Sequence, residues 1–370
     1  MLQNALPLRL KDVDNSTLSK TLHDTLSIDP TKRPRAEQLH KRFTTGVEDV
    51  VPSQIHQWSQ IPESVPISLS VVPVEGFFEG PPTSHVLVLE RGGPKNKQLV
   101  HYWRDDSSPK LRFTWNRGRV ISTDATSTAS IIPFSSDLYE SLVLEESTLV
   151  HYTCDGHDFN WKRGDIISDR ATGPASFAKG NIHHIVILEG NDLVHFSRES
   201  NVWKRLGVIS NRATGPGSIV ACSTGNLDVL VLEGKHLFLY SWDSIIWTRR
   251  QLVAMASHNG PDTFLQSTFI GKLNIGNYEL IVFNDGHLVH KWRDNSIPQT
   301  PWTTTAIITT SAIGPGVLLQ TMGLGVSPGY LEVLVVEDPG NLVYYWRDHT
   351  EEGQPWFRGA TISTEAVAVL

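Results

Sequence analysis

The sequence predicts an all-β fold, a six-bladed β-propeller with four-stranded blades, preceded by a short helical N-terminal segment. Three observations predict it. A phrase typified by LVHYWRD recurs six times, beginning at Leu99, Leu149, Leu193, Leu237, Leu288 and Leu342, with spacings of 50, 44, 44, 51 and 54 residues. Copies are preceded by an apolar run ending in an acid, as in VLVLERG at 86–92, SLVLEE at 141–146, IVILEG at 185–190 and VLVLEG at 229–234. Every copy is followed by a tryptophan, at Trp115, Trp161, Trp203, Trp247, Trp302 and Trp356. Repeats of about 40–50 residues, each rich in short β-branched runs, are the mark of propeller blades.

Residues 1–50 read differently from the repeats. STLSKTLHDTLSIDPTKRPRAEQLHKRF reads as two helices around a proline-rich turn, with Ser16 and Asp29 as caps. The phrase DPTKRPRAEQLHKRF resembles the last helices of a protein kinase domain. The glycine-rich loop, HRD and DFG that phosphoryl transfer requires are missing from the sequence, so the expectation is a remnant or cap without kinase activity. Residues 51–370 form the propeller domain. Strand one of each unit follows a turn such as ATGPGS at 213–218, for example SIVAC at 218–222 and VLLQT at 317–321. The VLVLE-type run is strand two, LVHYWRD is strand three, and the tryptophan segment, ending in an Ile-Ser-like phrase, is strand four. Gly190-Asn191 supplies hairpin-turn chemistry between strands two and three. By its likeness to the strand-one runs, PISLSVV places the start of unit one near Pro66, and unit six ends near Thr364.

Composition narrows the function. A net charge of −7, without a basic face, argues against a nucleic-acid partner. Two cysteines, Cys154 and Cys222, make no disulfide framework and suit a reducing compartment. The opening MLQNALPLRLKDVDN lacks the apolar run of a signal peptide, and no stretch is long and apolar enough to span a membrane, so the expected location is the cytoplasm. No cofactor or metal is expected, because no acidic loop has calcium-ligand spacing and His183-His184 point to opposite faces of a strand. An enzyme is not expected either: a glycosidase needs two unlike carboxylates, and every candidate acid here is a repeat-wide feature.

Register follows from the shortest hairpin. With Ser200-Asn201 as the turn, Arg198 lies opposite Trp203 and Phe196 opposite Arg205. One face of the first blade then carries Tyr102, Arg104, Trp115 and Arg117, and the other His101, Trp103 and Asp105. Neighbouring blades bring unlike faces together, so a groove between them offers tryptophan and arginine from one side, histidine and an acid from the other. Such sets hold sugars, the aromatic ring taking the C–H face and the polar groups the hydroxyls. The candidate sugar-binding residues are His101, Trp115 and Arg117; His151, Trp161 and Arg163; His195, Trp203 and Arg205; Trp247 and Arg249; His290 and Trp302; and Trp356 and Arg358. The same alternation of Arg and Trp is equally a structural ladder, held by cation–π contact, and the acids opening strand two (Glu140, Asp228, Glu279, Glu332) have arginines to pair with. Leu239 and Tyr344 replace the histidine, and Thr304 an arginine, so fewer than six working sites are expected, strongest in units one to three.

Repeats of the form VLVLEG…LVHYWRD…W-x-RG…ATGPGS resemble those of mushroom β-propeller lectins that bind terminal N-acetylglucosamine; the resemblance runs from about residue 66 to 364. It implies a multivalent agglutinin, cytosolic in a fungus, whose partners are glycans or glycoproteins with terminal N-acetylglucosamine. A protein-interaction propeller without sugar affinity and a glycan-cleaving enzyme are the alternatives.

Overall fold

The computed structural model describes residues 83–369, apart from short stretches that include 107–113, 256–262, 268–275, 322–328 and 349–354. The two N-terminal helices expected from the sequence, and the strand expected near Pro66, lie outside the described residues. What is described is all-β: 24 strands in six four-stranded antiparallel sheets. Blade one contributes β1 (Thr83–Glu90), β2 (Gln98–Asp105) and β3 (Asn116–Ser122). Blade two is β4 (Ser130–Ser135), β5 (Leu138–Glu145), β6 (Thr148–Asp155) and β7 (Asn160–Ser168). Blade three is β8 (Ser176–Lys179), β9 (His183–Glu189), β10 (Asp192–Glu199) and β11 (Val202–Ser210). Blade four is β12 (Ser218–Ala221), β13 (Leu227–Glu233), β14 (His236–Trp242) and β15 (Trp247–Met255). Blade five is β16 (Thr263–Gln266), β17 (Tyr278–Asn284), β18 (His287–Arg293) and β19 (Thr303–Thr309). Blade six is β20 (Ala312–Thr321), β21 (Tyr330–Glu337), β22 (Asn341–Asp348) and β23 (Phe357–Ser363).

The last strand, β24 (Ala366–Val369), completes blade one by pairing antiparallel with β1. This moves the expected boundary of the last unit: the strand-one position of the first blade is filled from the end of the chain, beyond Thr364. The arrangement joins the two ends of the ring through backbone hydrogen bonds, so the edge of β1 is covered. Arg91 N–H adds a bond to the Glu365 carbonyl at 2.9 Å.

The apolar residues on both faces of each blade are explained by six clusters, one at each junction between neighbouring blades. At the junction of blades two and three, for example, Leu142, Leu144 and Leu149 pack with Ile185, Ile187 and Val194. First strands of neighbouring blades touch one another, which sets them innermost. There the last residue of the GP-turn phrase acts as a stitch. Ser176 Oγ accepts from Ile219 N–H at 3.0 Å and Ser218 Oγ accepts from Phe264 N–H at 3.3 Å, each reaching into the next blade. Thr263 Oγ1 donates onward to the Gly316 carbonyl at 3.2 Å. The expected register of blade three is found: Arg198 opposes Trp203 and Phe196 opposes Arg205. Gly190 turns between β9 and β10 at φ 64°, a backbone conformation that costs glycine nothing.

Candidate interblade site

The tryptophan of every repeat stands within one residue of the start of strand four, which strand three opposes in the same register. Tyr102–Arg117, Tyr152–Arg163, Phe196–Arg205, Tyr240–Arg249, Lys291–Thr304 and Tyr345–Arg358 are the equivalent cross-strand pairs. A bulge follows the pair in each blade, and Gly118 and Gly164 sit there because a Cβ would come within 2.9 and 3.1 Å of the carbonyls of His101 and His151. That is the physical content of the W-x-RG phrase.

The acid that ends strand two completes the cross-strand pair. Arg117, Arg163, Arg205, Arg249 and Arg358 reach Glu90, Glu145, Glu189, Glu233 and Glu337 at 2.7, 3.0, 3.5, 3.4 and 2.9 Å. The arginine side chains remain 43–51% exposed, whereas the carboxylates are 3–12% exposed. Tyr102 donates to Glu90, and Tyr152, Tyr240 and Tyr345 donate to Glu145, Glu233 and Glu337 at 2.6, 2.5 and 2.5 Å. Burial, then the bond to the neighbouring carboxylate, pushes Tyr102 and Tyr152 up to about 12. Burial pushes the Glu337 carboxyl up, but bonds from Tyr345, Arg358 and Thr309 outweigh it and hold it below the usual range.

The preceding blade supplies the opposite wall through the Ile-Ser phrase. Ser122, Ser168, Ser210 and Thr309 donate to Glu145, Glu189, Glu233 and Glu337 at 2.8, 2.8, 2.6 and 2.8 Å, and Ser363 to Glu90 at 3.4 Å. Each hydroxyl in turn accepts the N–H two residues on, which fixes its rotamer. Between blades six and one these groups line a cavity of about 560 Å³, walled by Glu90, Tyr102, Trp115 and Arg117 on one side and Thr361–Glu365 on the other. At the position of Thr361 the other grooves carry exposed aliphatics: Val120, Ile166, Val208, Leu252 and Ile307.

The groove between blades four and five keeps the aliphatic, Leu252, but departs at each of the four polar positions. Asn284 stands for the glutamate, Lys291 for the tyrosine, Thr304 for the arginine and Ala254 for the serine. The groove between blades two and three keeps all but the tyrosine, which is Phe196.

The structure does bring histidine and tryptophan of neighbouring blades together, but inside the protein. His101, His151, His195 and His290 are buried, at most 7% exposed. Trp161 Nε1–H donates to His101 Nδ1 at 3.5 Å, and Trp247 Nε1–H to His195 Nδ1 at 3.3 Å. An indole only donates, so each imidazole is neutral, and its Nε2–H goes on to His85 or His184 at 3.0 Å. Burial holds His101 and His195 at about 3; burial first, then the neighbouring histidine, holds His184 at about 4. His290 is held instead by Glu279 at 2.8 Å and Thr305 at 2.8 Å. The tryptophan thus divides a buried layer from the groove. Of the expected set, the strand-four arginines line the groove and Trp115 joins them in its wall, whereas the histidines belong to the packed interior.

The structural ladder is also present, carried by strand-three arginines. Arg104 lies over Trp115 at 4.8 Å, Arg198 over Trp203 at 5.7 Å, Arg293 over Trp302 at 5.6 Å and Arg347 over Trp356 at 5.9 Å. Arg104, fully buried, pairs with Glu332 of blade six at 2.7 Å, and Arg198 with Glu140 of blade two at 2.5 Å. Burial opposes the charge on Arg104, but Glu332 and Asp106 outweigh it, so the guanidinium is held more firmly protonated than usual.

Solved structures give the context for this geometry. AofleA from Arthrobotrys oligospora is similar over 79% of this chain and 92% of its own, with a TM-score of 0.55 at 10% identity. A variant of that protein with three arginines changed to alanine matches over 75% of this chain and 90% of its own, with a TM-score of 0.54 at 10% identity. TolB from Acinetobacter baumannii matches over 79% and 66%, with a TM-score of 0.52 at 10% identity. These are likenesses of fold. No protein-family model and no curated protein matches the chain.

The groove residues that sequence reasoning missed are the glutamates ending strand two, the tyrosines of strand three and the hydroxyls of the Ile-Ser phrase. Their signal was recurrence: an acid closes strand two in five units and a hydroxyl closes strand four in five units, and the unit pair that breaks one rule breaks the other.

Proposed function

We propose that the protein is a multivalent carbohydrate-binding protein with five interblade sites, and that its ligand is a terminal N-acetylglucosamine on glycans or glycoproteins. One observation carries the reading. Serine or threonine, glutamate and arginine occur together in five grooves, usually with tyrosine, and all four positions change together in the sixth. A set kept or lost as a whole is a working unit, and these residues do little for the core because the arginines are half exposed.

The chemistry suits a sugar. A half-exposed guanidinium beside a buried carboxylate offers donors and acceptors a few ångströms apart, the pattern that two neighbouring hydroxyls on a pyranose satisfy. The aliphatic at Val120, Ile166, Val208 or Ile307 suits an acetamido methyl, and the cavity of about 560 Å³ accommodates a monosaccharide. No step of this reading needs a metal, and binding is expected to survive EDTA and reducing agent alike.

Titration calorimetry with N-acetylglucosamine tests it. The expected result is weak binding at up to five sites per chain; no heat with this sugar, and no signal for any glycan on an array, would overturn the reading. Exposed aliphatics at Ile166, Val202 and Ile307 favour a second reading, a protein-docking propeller. Agglutination that simple sugars inhibit separates the two.

A further inference from the structure

In five grooves a half-exposed guanidinium faces a buried carboxylate, and at Glu189 a second guanidinium, Arg170, joins Arg205. Among the described residues, the groove between blades four and five has no such pair. Lys291 occupies the position where four other blades hold tyrosine, and Asn284 the position of the glutamate. Lys291 Nζ donates to Thr304 Oγ1, a neutral hydroxyl, at 2.6 Å. Burial pulls the lysine pKa down. The second polar group is also unsettled: Asn284 Oδ1 is buried with no hydrogen-bond partner among the described residues. Trp302 is retained at the start of strand four, and Leu252, 44% exposed, holds the aliphatic position on the opposite wall. Arg293, the other cation on this face, is engaged by Gln251 at 3.0 Å and Asn295 at 3.1 Å and stacks on Tyr278, so it belongs to the ladder.

Simple decay of a sugar site explains the loss of groups but not the arrival of a cation. A part-buried ammonium without a counter-charge costs stability unless something supplies the charge. We propose that this sixth groove is a separate binding site for an anionic sugar, a pyranose bearing a carboxylate, with Lys291 taking the carboxylate and Asn284 Oδ1 accepting from a ring hydroxyl. The proposal rests on the reading of the other grooves as sugar sites and adds a ligand class that their buried carboxylates disfavour.

Titration of the full chain with glucuronic acid, beside a titration with N-acetylglucosamine, tests it. Glucuronate is expected to bind at a single site, to weaken at raised ionic strength and to weaken about tenfold or more in Lys291→Met, the loss typical of a charge-assisted hydrogen bond. Lys291→Tyr, which restores the residue of the other blades, is expected to remove glucuronate binding with the melting temperature kept, guarding against a variant that fails to fold. Neither variant should change the N-acetylglucosamine stoichiometry. Failure of glucuronate to bind, equal binding by both variants, or loss of glucuronate binding in Arg163→Ala instead would each overturn the assignment. A failure of N-acetylglucosamine alone would count against the five-site reading and leave the Lys291 arm readable.

Discussion

Arg163 and His101 divide the labour of one interface between them. The guanidinium of Arg163 is half exposed and bonded to Glu145, which keeps its bonds to Tyr152 and Ser122 when the arginine is removed. An exposed ion pair contributes about 0–1 kcal/mol to stability, whereas a charged donor to a sugar hydroxyl contributes about 1.5–3 kcal/mol to binding. Arg163→Ala is therefore expected to weaken its own groove about tenfold with the melting temperature nearly unchanged, and Thr304→Ala to be silent for N-acetylglucosamine. Monovalent sugar in solution must be the probe, since multivalency on a surface hides the loss of one site. An unchanged stoichiometry with a collapsed melt would show the arginines to be structural. The converse holds for His101. His101→Leu, a residue already accepted at Leu239, removes the bonds that His101 makes to His85 and to the Trp161 indole and is expected to cost about 1–3 kcal/mol in a urea melt while sugar affinity is retained. The sequence showed the arginines and tryptophans because they are rare and periodic. It hid the division between groove and interior, because His101 and Trp161 meet only after two blades pack, 60 residues apart in the chain.

Strands were legible wherever a local pattern decided them. Alternation, turn chemistry and hairpin length placed strands two to four of every blade, and the two-residue hairpin of blade three fixed the register that the structure shows. Closure was not legible, because PISLSVV and AVAV are both short apolar runs and only a pairing across the whole ring chooses between them. β24 pairs Val88 with Val369, Leu89 with Ala368 and Glu90 with Ala366, so it also lies next to the groove glutamate. Ending the chain after Thr364 uncovers the edge of β1 and removes this clamp. The expected outcome is a much lower and broader thermal transition by circular dichroism, with N-acetylglucosamine binding lost first at the groove of Glu90. Ala366→Asp is the milder version: Ala366 is 1% exposed, and an unpaired charge there is expected to cost several kcal/mol. A truncated chain that melts like the full one would show that β24 is dispensable for closure.

At four of the six blade junctions, the residue near the start of strand two is answered from the following blade. Where strand two opens on an acid, as at Glu140 and Glu332, the following blade presents a buried arginine, Arg198 or Arg104; where it opens on His85 or His184, the following blade presents Cys154 or Trp242. Two junctions are thus built on neutral imidazoles and two on buried ion pairs, and both kinds fail in acid. His85, His101, His184 and His195 titrate below 6.5 in the folded chain because burial penalises their charged form. The unfolded chain then binds more protons as pH falls below about 6.5, so the stability these groups carry is whole above that value and drains toward about 4 and 3. Glu140 is held below its usual range: burial raises it, but bonds from His151, His183 and Arg198 win, so its contribution persists above about 4.5 and is lost beneath. The tyrosines act at the other end, since a folded value of about 12 against an ordinary 10 keeps their contribution until the pH rises past 10. A plateau between about pH 7 and 9 is expected, with the urea midpoint falling continuously below about 6.5. His101→Leu should flatten the acid limb between about pH 6 and 4 while lowering the plateau, because it removes a group that must stay neutral as well as the bonds it makes. A midpoint unchanged down to pH 4 would mean that the buried imidazoles take up protons in the folded ring, and the neutral Trp–His–His chains would have to be redrawn with charge on them.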